Sequence, residues 1–315
     1  MNFSHRTNRP LRLVVVGLVL TLTAALASTP AAEATYPGRN GRLAFADNVR
    51  KAATAPDIYT VRADGTRPRQ LTNDDQFDAC AAYSPDGRWI AWCKGTVTPE
   101  RRLEIWIMRA DGRHQRQVTR LGGYATFPDF SPDGHRLVFT LVTANGSTDL
   151  WTIGVDGRNP RPLTTTSNLS EDNAAWSPDG RRLVFLRGES LADNGQVWVR
   201  DLRSGRERQL TTDSNPKDQL PDWSPDGRHI AYAARIGDAD DIYVMRADGS
   251  SQRAVITGPA DDFAPTWSPD GRQLAFLRLL PTSREVWTAA IDGSDQRPVL
   301  QSGGGQYAPA WQPRH

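Results

Sequence analysis

An aromatic residue followed by Ser-Pro-Asp-Gly occurs five times, at Tyr83, Phe130, Trp176, Trp223 and Trp267, and Trp311 follows at the same interval without the turn. The steps between these aromatics are 47, 46, 47, 44 and 44 residues. This recurrence constrains the fold more than anything else in the chain, because each copy is one supersecondary unit that buries its apolar face only against its neighbours. The turn itself is legible in physical terms. Proline presets φ, the aspartate side chain bonds to the downstream backbone, and glycine takes φ > 0 without a Cβ clash. A three-residue loop of this kind joins antiparallel strands. Trp267 before one such loop, with Leu274 and Phe276 after it, are the half-buried residues those strands need.

Two further phrases complete each copy. "DIYTVRADG", "EIWIMRADG", "DLWTIGVDG", "QVWVRDLRSG", "DIYVMRADG" and "EVWTAAIDG" are alternating strands ending at a glycine turn, while "PRQLT", "QRQVT", "PRPLT" and "ERQLT" supply a short fourth strand. Second strands follow Gly41, Gly87, Gly134, Gly180, Gly227 and Gly271, which predicts an all-β fold, a six-bladed β-propeller of four-stranded antiparallel blades. The first copy, "NGRLAFA" at 40–46, lacks the aromatic half, and "YAPAWQP" at 307–313 is that half without a successor. The two are expected to pair, so that the C-terminal strand completes the first blade, closes the ring and leaves no open sheet edge. Outside the N-terminal apolar run no segment keeps a 3.6-residue apolar period, so no helical domain is expected.

The combined "WSPDGR", "IYVMRADG" and "RQLT" phrases resemble the repeats of TolB-like β-propeller proteins over residues 36–313. The resemblance implies the propeller fold and a partner-binding role in the cell envelope, although such propellers also occur attached to serine peptidases. TolB docks a peptidoglycan-associated lipoprotein over the propeller mouth and carries an α/β domain ahead of the propeller. Here only residues 35–40 separate the expected cleavage site from the first strand, so residues 35–315 are expected to be a propeller alone.

Arg6, Arg9 and Arg12 precede an apolar run at 13–27, and Ala32, Glu33 and Ala34 offer small residues at the spacing a signal peptidase accepts, so residues 1–34 read as a secretory signal peptide. The run is shorter than a bilayer span, so no stable membrane span is expected after cleavage, and the mature chain is expected in the periplasm or outside the cell. Removing residues 1–34 leaves 35 basic and 35 acidic residues, a neutral balance that argues against a nucleic-acid partner. Export also permits a disulfide between the two cysteines, Cys80 and Cys93, on the arms of one hairpin. A regular register sets Cys80 opposite Trp92 and Cys93 on the other face, so a disulfide and two buried free thiols both stand as readings.

The usual carriers of chemistry are thin. No G-x-S-x-G elbow is present, and His5, His114, His135, His229 and His315 are scattered through the signal, the turns and the terminus. Two cysteines are too few for a structural zinc site. The repeated Asp86, Asp133, Asp179, Asp226 and Asp270 sit on separate blades and are explained by the turn. Trp176, Trp223, Trp267 and Trp311 share one repeat position, and Trp106, Trp151, Trp198 and Trp287 another, as packing between blades requires. Function is therefore sought where the copies differ.

Five residues before the aromatic the copies carry Asp78, Ala125, Glu171, Asp218, Asp262 and Gln306. A propeller's leading strands line its channel, so these side chains are expected to ring the mouth, with Asp172, Gln219 and Tyr307 adjoining. Acids placed together repel unless a cation lies between them, which makes Asp78, Glu171, Asp218 and Asp262 candidates for Ca²⁺ or for a basic segment of a partner; each acid alone is equally served by amides of its own loop. No other cofactor is implied. The function expected is a monomeric, non-catalytic module that binds an envelope protein or peptide at the mouth. The alternative is an enzyme acting on a carbohydrate or ester through channel carboxylates, and a carbohydrate-binding or scaffold role is a third reading.

Overall fold

The computed structural model describes residues 36–48, 55–96, 102–142, 146, 148–166, 168–189, 195–212, 219–235 and 237–315. Residues 1–34, read from the sequence as a signal peptide, Asp218 and the side chain of Gln219 lie outside that description. Among the described residues there are strands and no helix, hence none long and apolar enough to cross a membrane.

Strands come in fours. The second unit runs through Phe77–Tyr83, Trp89–Thr96, Arg102–Arg109 and Arg116–Gln117, an antiparallel meander with a two-residue outer strand. The next four units begin with leading strands Tyr124–Phe130, Ser170–Trp176, Gln219–Trp223 and Asp262–Trp267. A single parallel pairing of Leu103 with Tyr124 joins the second and third units into one eight-stranded sheet. The first unit is assembled from both ends of the chain, in the order Ala310–Arg314, Arg39–Asp47, Asp57–Arg62, Arg69–Gln70. Leu43 lies opposite Trp311 and Ala44 opposite Ala310, so the split copy is rejoined as its two halves predict.

The repeated polar residues hold turns. In all five Ser-Pro-Asp-Gly turns the serine hydroxyl donates to the aspartate, at 2.6 Å for Ser177 to Asp179 and Ser268 to Asp270. The same hydroxyl accepts the N–H five residues on, as from Gln273 at 2.9 Å. In the "LT" phrase Thr72, Thr119, Thr164 and Thr211 accept the N–H of Ile58, Ile105, Leu150 and Val197, tying the fourth strand to the third. Neighbouring units meet at the repeated aromatic. Trp176, Trp223, Trp267 and Trp311 are buried, and the guanidinium of the preceding unit covers two of them, Arg136 at 5.0 Å over Trp176 and Arg182 at 4.6 Å over Trp223.

One irregularity recurs where regular strands were expected. Five leading strands shift register three residues before the aromatic, and there Cys80, Phe127, Asn173, Leu220 and Ala264 take φ of 52–56°. Four of the five are neither glycine nor asparagine, so packing on both faces holds a conformation that isolated residues avoid. The bulge also corrects the register read for the cysteines. Ala79 pairs with Cys93 and Ala82 with Ala91, which leaves Cys80 as the extra residue, turned towards Cys93 and bonded to it in a disulfide with a Cα–Cα distance of 5.6 Å.

Candidate binding site at the start of the leading strands

The candidate acids sit where each leading strand begins, and each is set by pairing with the second strand of its own unit. Asp78 pairs with Lys94, Glu171 with Arg187 and Asp262 with Arg278. All three carboxylates are buried. Lys94 Nζ lies 3.2 Å from Asp78, which also accepts from Trp92 Nε1 at 2.7 Å. Arg187 Nε lies 2.9 Å from Glu171, beside Thr166 Oγ1 at 2.7 Å. Arg278 holds Asp262 with two bonds of 2.7 Å, the bidentate form that is strongest for this pair.

Each cation has a floor as well. Lys94, Arg187 and Arg278 lie 5.8, 4.8 and 4.6 Å from the rings of Trp106, Trp198 and Trp287 on the third strand. Acid, cation and indole thus form one layer across three strands, repeated in three units. In the third unit the layer is apolar, with Ala125 opposite Leu141 and Trp151 beyond it. Burial raises all three acids above their usual range, Asp78 to about 6, against the pull of the facing cation.

The acids are therefore distributed one to a unit, inside the units. Among the described residues no three His, Cys, Asp or Glu side chains gather as a metal would require. Gln306 is buried too; its Oε1 accepts the Val286 N–H at 2.7 Å and its amide donates to Leu300 O at 2.9 Å. Of the adjoining residues, Asp172 is half-buried, accepts from Thr140 Oγ1 of the preceding unit at 2.7 Å, and is pushed by burial to about 6. Gln219 pairs through its backbone with Ala233. Tyr307 meets Phe77 edge-on at 6.0 Å, and the Arg284 guanidinium lies 4.3 Å over its ring.

Arg284 was not singled out in the sequence, and neither were the cations sixteen positions after each acid. The latter were partly recoverable by aligning the copies on both strands: Asp78, Glu171 and Asp262 are followed sixteen positions on by Lys94, Arg187 and Arg278, and Ala125 by Leu141, while Asp218 is followed by Ala234.

With this geometry in place, the family model of the TolB beta propeller domain matches residues 94–261, more than half of the chain. The chain belongs to the TolB beta propeller family. Structural likeness to TolB from Acinetobacter baumannii covers 87% of this chain and 67% of that one, at TM-score 0.75 and 21% identity. A nidogen/laminin complex matches 86% of this chain and 98% of that one, at TM-score 0.67 and 14% identity. An oligogalacturonate lyase in complex with manganese matches 84% of this chain and 74% of that one, at TM-score 0.52 and 16% identity. These likenesses carry the fold; the propeller is shared by binding proteins and enzymes alike. No curated protein matches the sequence.

Proposed function

We propose that the six units close into a six-bladed ring and that the exported protein is a non-catalytic module binding a protein or peptide where the leading strands begin. The observation that carries this reading is the Arg284, Tyr307 and Phe77 cluster. Arg284 is half-buried, its Nε donates to the Gln306 carbonyl, and burial lowers its pKa. No carboxylate among the described residues lies within ion-pair distance of it. A guanidinium stacked on an aromatic ring and lacking a counter-ion is the kind of group that anchors a protein interface. TolB-family membership supports the same reading.

The partner's chemistry follows from the charges. Asp78, Glu171 and Asp262 each have an internal cation, whereas Arg284 beside them has no carboxylate within ion-pair distance among the described residues, so the favoured partner segment presents a carboxylate to it rather than a basic side chain. The test is capture by the purified protein from envelope extract with and without Arg284→Gln and Tyr307→Ala. A partner retained by the parent protein and lost by both variants supports the proposal; equal retention by all three overturns it.

The enzyme reading keeps one supporting observation, the half-buried Asp172, whose pKa near 6 suits a general acid or base. Turnover in a glycoside and ester panel, abolished by Asp172→Asn, would establish it.

A further inference from the structure

Two junctions between units form grooves on the face that carries the Ser-Pro-Asp-Gly turns, and their equivalent positions carry different chemistry. The groove between the second and third units, about 420 Å³, is lined by Trp89, Ile107, Phe130 and Val155 besides its turn residues, with Arg116, the counterpart of Arg208, as its one guanidinium. The groove between the fourth and fifth units, about 560 Å³, is lined by Arg182, Arg208, Arg228, His229 and Arg246, with Asp248 the single acid. Position by position, Arg182 stands where Trp89 stands, two residues after the turn glycine, and Arg246 stands where Gly154 stands, at the end of the third strand.

Two of the arginines have holding contacts that leave the charge in place, and Asp248 and Asp226 act on Arg208, Arg246 and Arg228 from beyond ion-pair distance. The Arg182 guanidinium lies 4.6 Å over the Trp223 ring, and Arg208 Nη2 reaches the Ala247 carbonyl at 3.5 Å. Neither these two nor Arg228 and Arg246 lie within ion-pair distance of a carboxylate among the described residues. The nearest acids are committed to their own turns. Asp248 accepts from the Ser250 N–H and hydroxyl at 3.0 and 2.6 Å, and Asp226 from the Ser224 hydroxyl and Arg228 N–H at 2.6 and 3.0 Å.

Four guanidiniums around one open groove repel each other, and a multivalent oxyanion relieves that repulsion while using the planar N–H forks. We propose that the groove between the fourth and fifth units binds a phosphate-bearing ligand through Arg182, Arg208, Arg228 and Arg246. This site lies on turn residues and is independent of the proposed partner site around Arg284.

Arg228 and Arg246 are exposed, so Arg228→Gln/Arg246→Gln is expected to fold as the parent does. The control, Arg113→Gln/Arg158→Gln, removes the same charge from exposed turns of the second and third units. Calorimetric titration uses inorganic pyrophosphate; co-sedimentation uses phosphatidylglycerol vesicles against phosphatidylcholine vesicles. Binding should weaken about ten-fold or more per arginine in the groove variant and stay within about two-fold in the control, as both keep the same long-range charge. Loss confined to the pyrophosphate arm assigns a soluble phosphate, and loss confined to the vesicle arm a lipid headgroup. No binding in either arm, or equal weakening in the two variants, overturns the proposal.

Discussion

At the scale of single residues, the buried acid–cation–indole layer makes a prediction that the chain's own repeats have already framed. Removing the cation alone strands a buried carboxylate, whereas removing both charges recreates the Ala125–Leu141 pairing that the third unit uses. Arg278→Met is expected to cost about 3 kcal/mol in urea denaturation, and Asp262→Ala/Arg278→Leu to recover most of it. A double variant no more stable than the single one would show that the pair is more than a charge match. Asp172 predicts a pH dependence. Burial raises its folded pKa from 3.8 to about 6, so its contribution to stability is complete below pH 3.8 and is lost as pH rises through 6. Asp172→Asn should remove that decline. The difference between parent and variant urea midpoints across pH 4 to 7 measures it, and a flat difference would count against the burial effect.

Among elements, the leading strand departs furthest from what its residues announce. Its aromatic, its turn and its alternation were legible, but the bulge at Cys80 and its four equivalents was not, because nothing in Phe127, Leu220 or Ala264 favours a left-handed backbone. Packing against strands on either side imposes it. The disulfide depends on that bulge, since a continuous register keeps Cys80 and Cys93 on opposite faces. With the two cysteines 13 positions apart, Cys80→Ser/Cys93→Ser should lower stability by about 2–3 kcal/mol while leaving the far-ultraviolet circular dichroism unchanged. Identical urea midpoints with and without reductant would show that the cross-link adds nothing.

For the whole molecule, the decisive contact is between the chain's ends. The strand Ala310–Arg314 covers the edge of Arg39–Asp47, and Gln306 and Tyr307 carry the approach to it through Asp47 and the Ala46 carbonyl. Truncation before Ala310 exposes that edge and the apolar face of Leu43 and Phe45, so the shortened chain should lose its cooperative thermal transition and associate in size-exclusion chromatography. A monomer with an unchanged Tm would mean that the end-to-end pairing is dispensable.

The sequence by itself determined the strands, the turns, the period and the pairing of its two ends, because each rests on local chemistry repeated often enough to be read without coordinates: proline and glycine at fixed turn positions, alternation along strands, and two half-copies that fit together. Only the tertiary structure decided what the unrepeated residues do. Asp78, Glu171 and Asp262 read as an acidic ring when considered along one strand, but cross-strand pairing set Lys94, Arg187 and Arg278 against them, and burial made those pairs internal. Likewise Arg182 and Arg246, 64 residues apart in the chain, came to line one groove only when the fourth and fifth units packed together. Charge meaning is a property of the neighbourhood, and the neighbourhood is made by long-range contacts that a single strand of sequence does not contain.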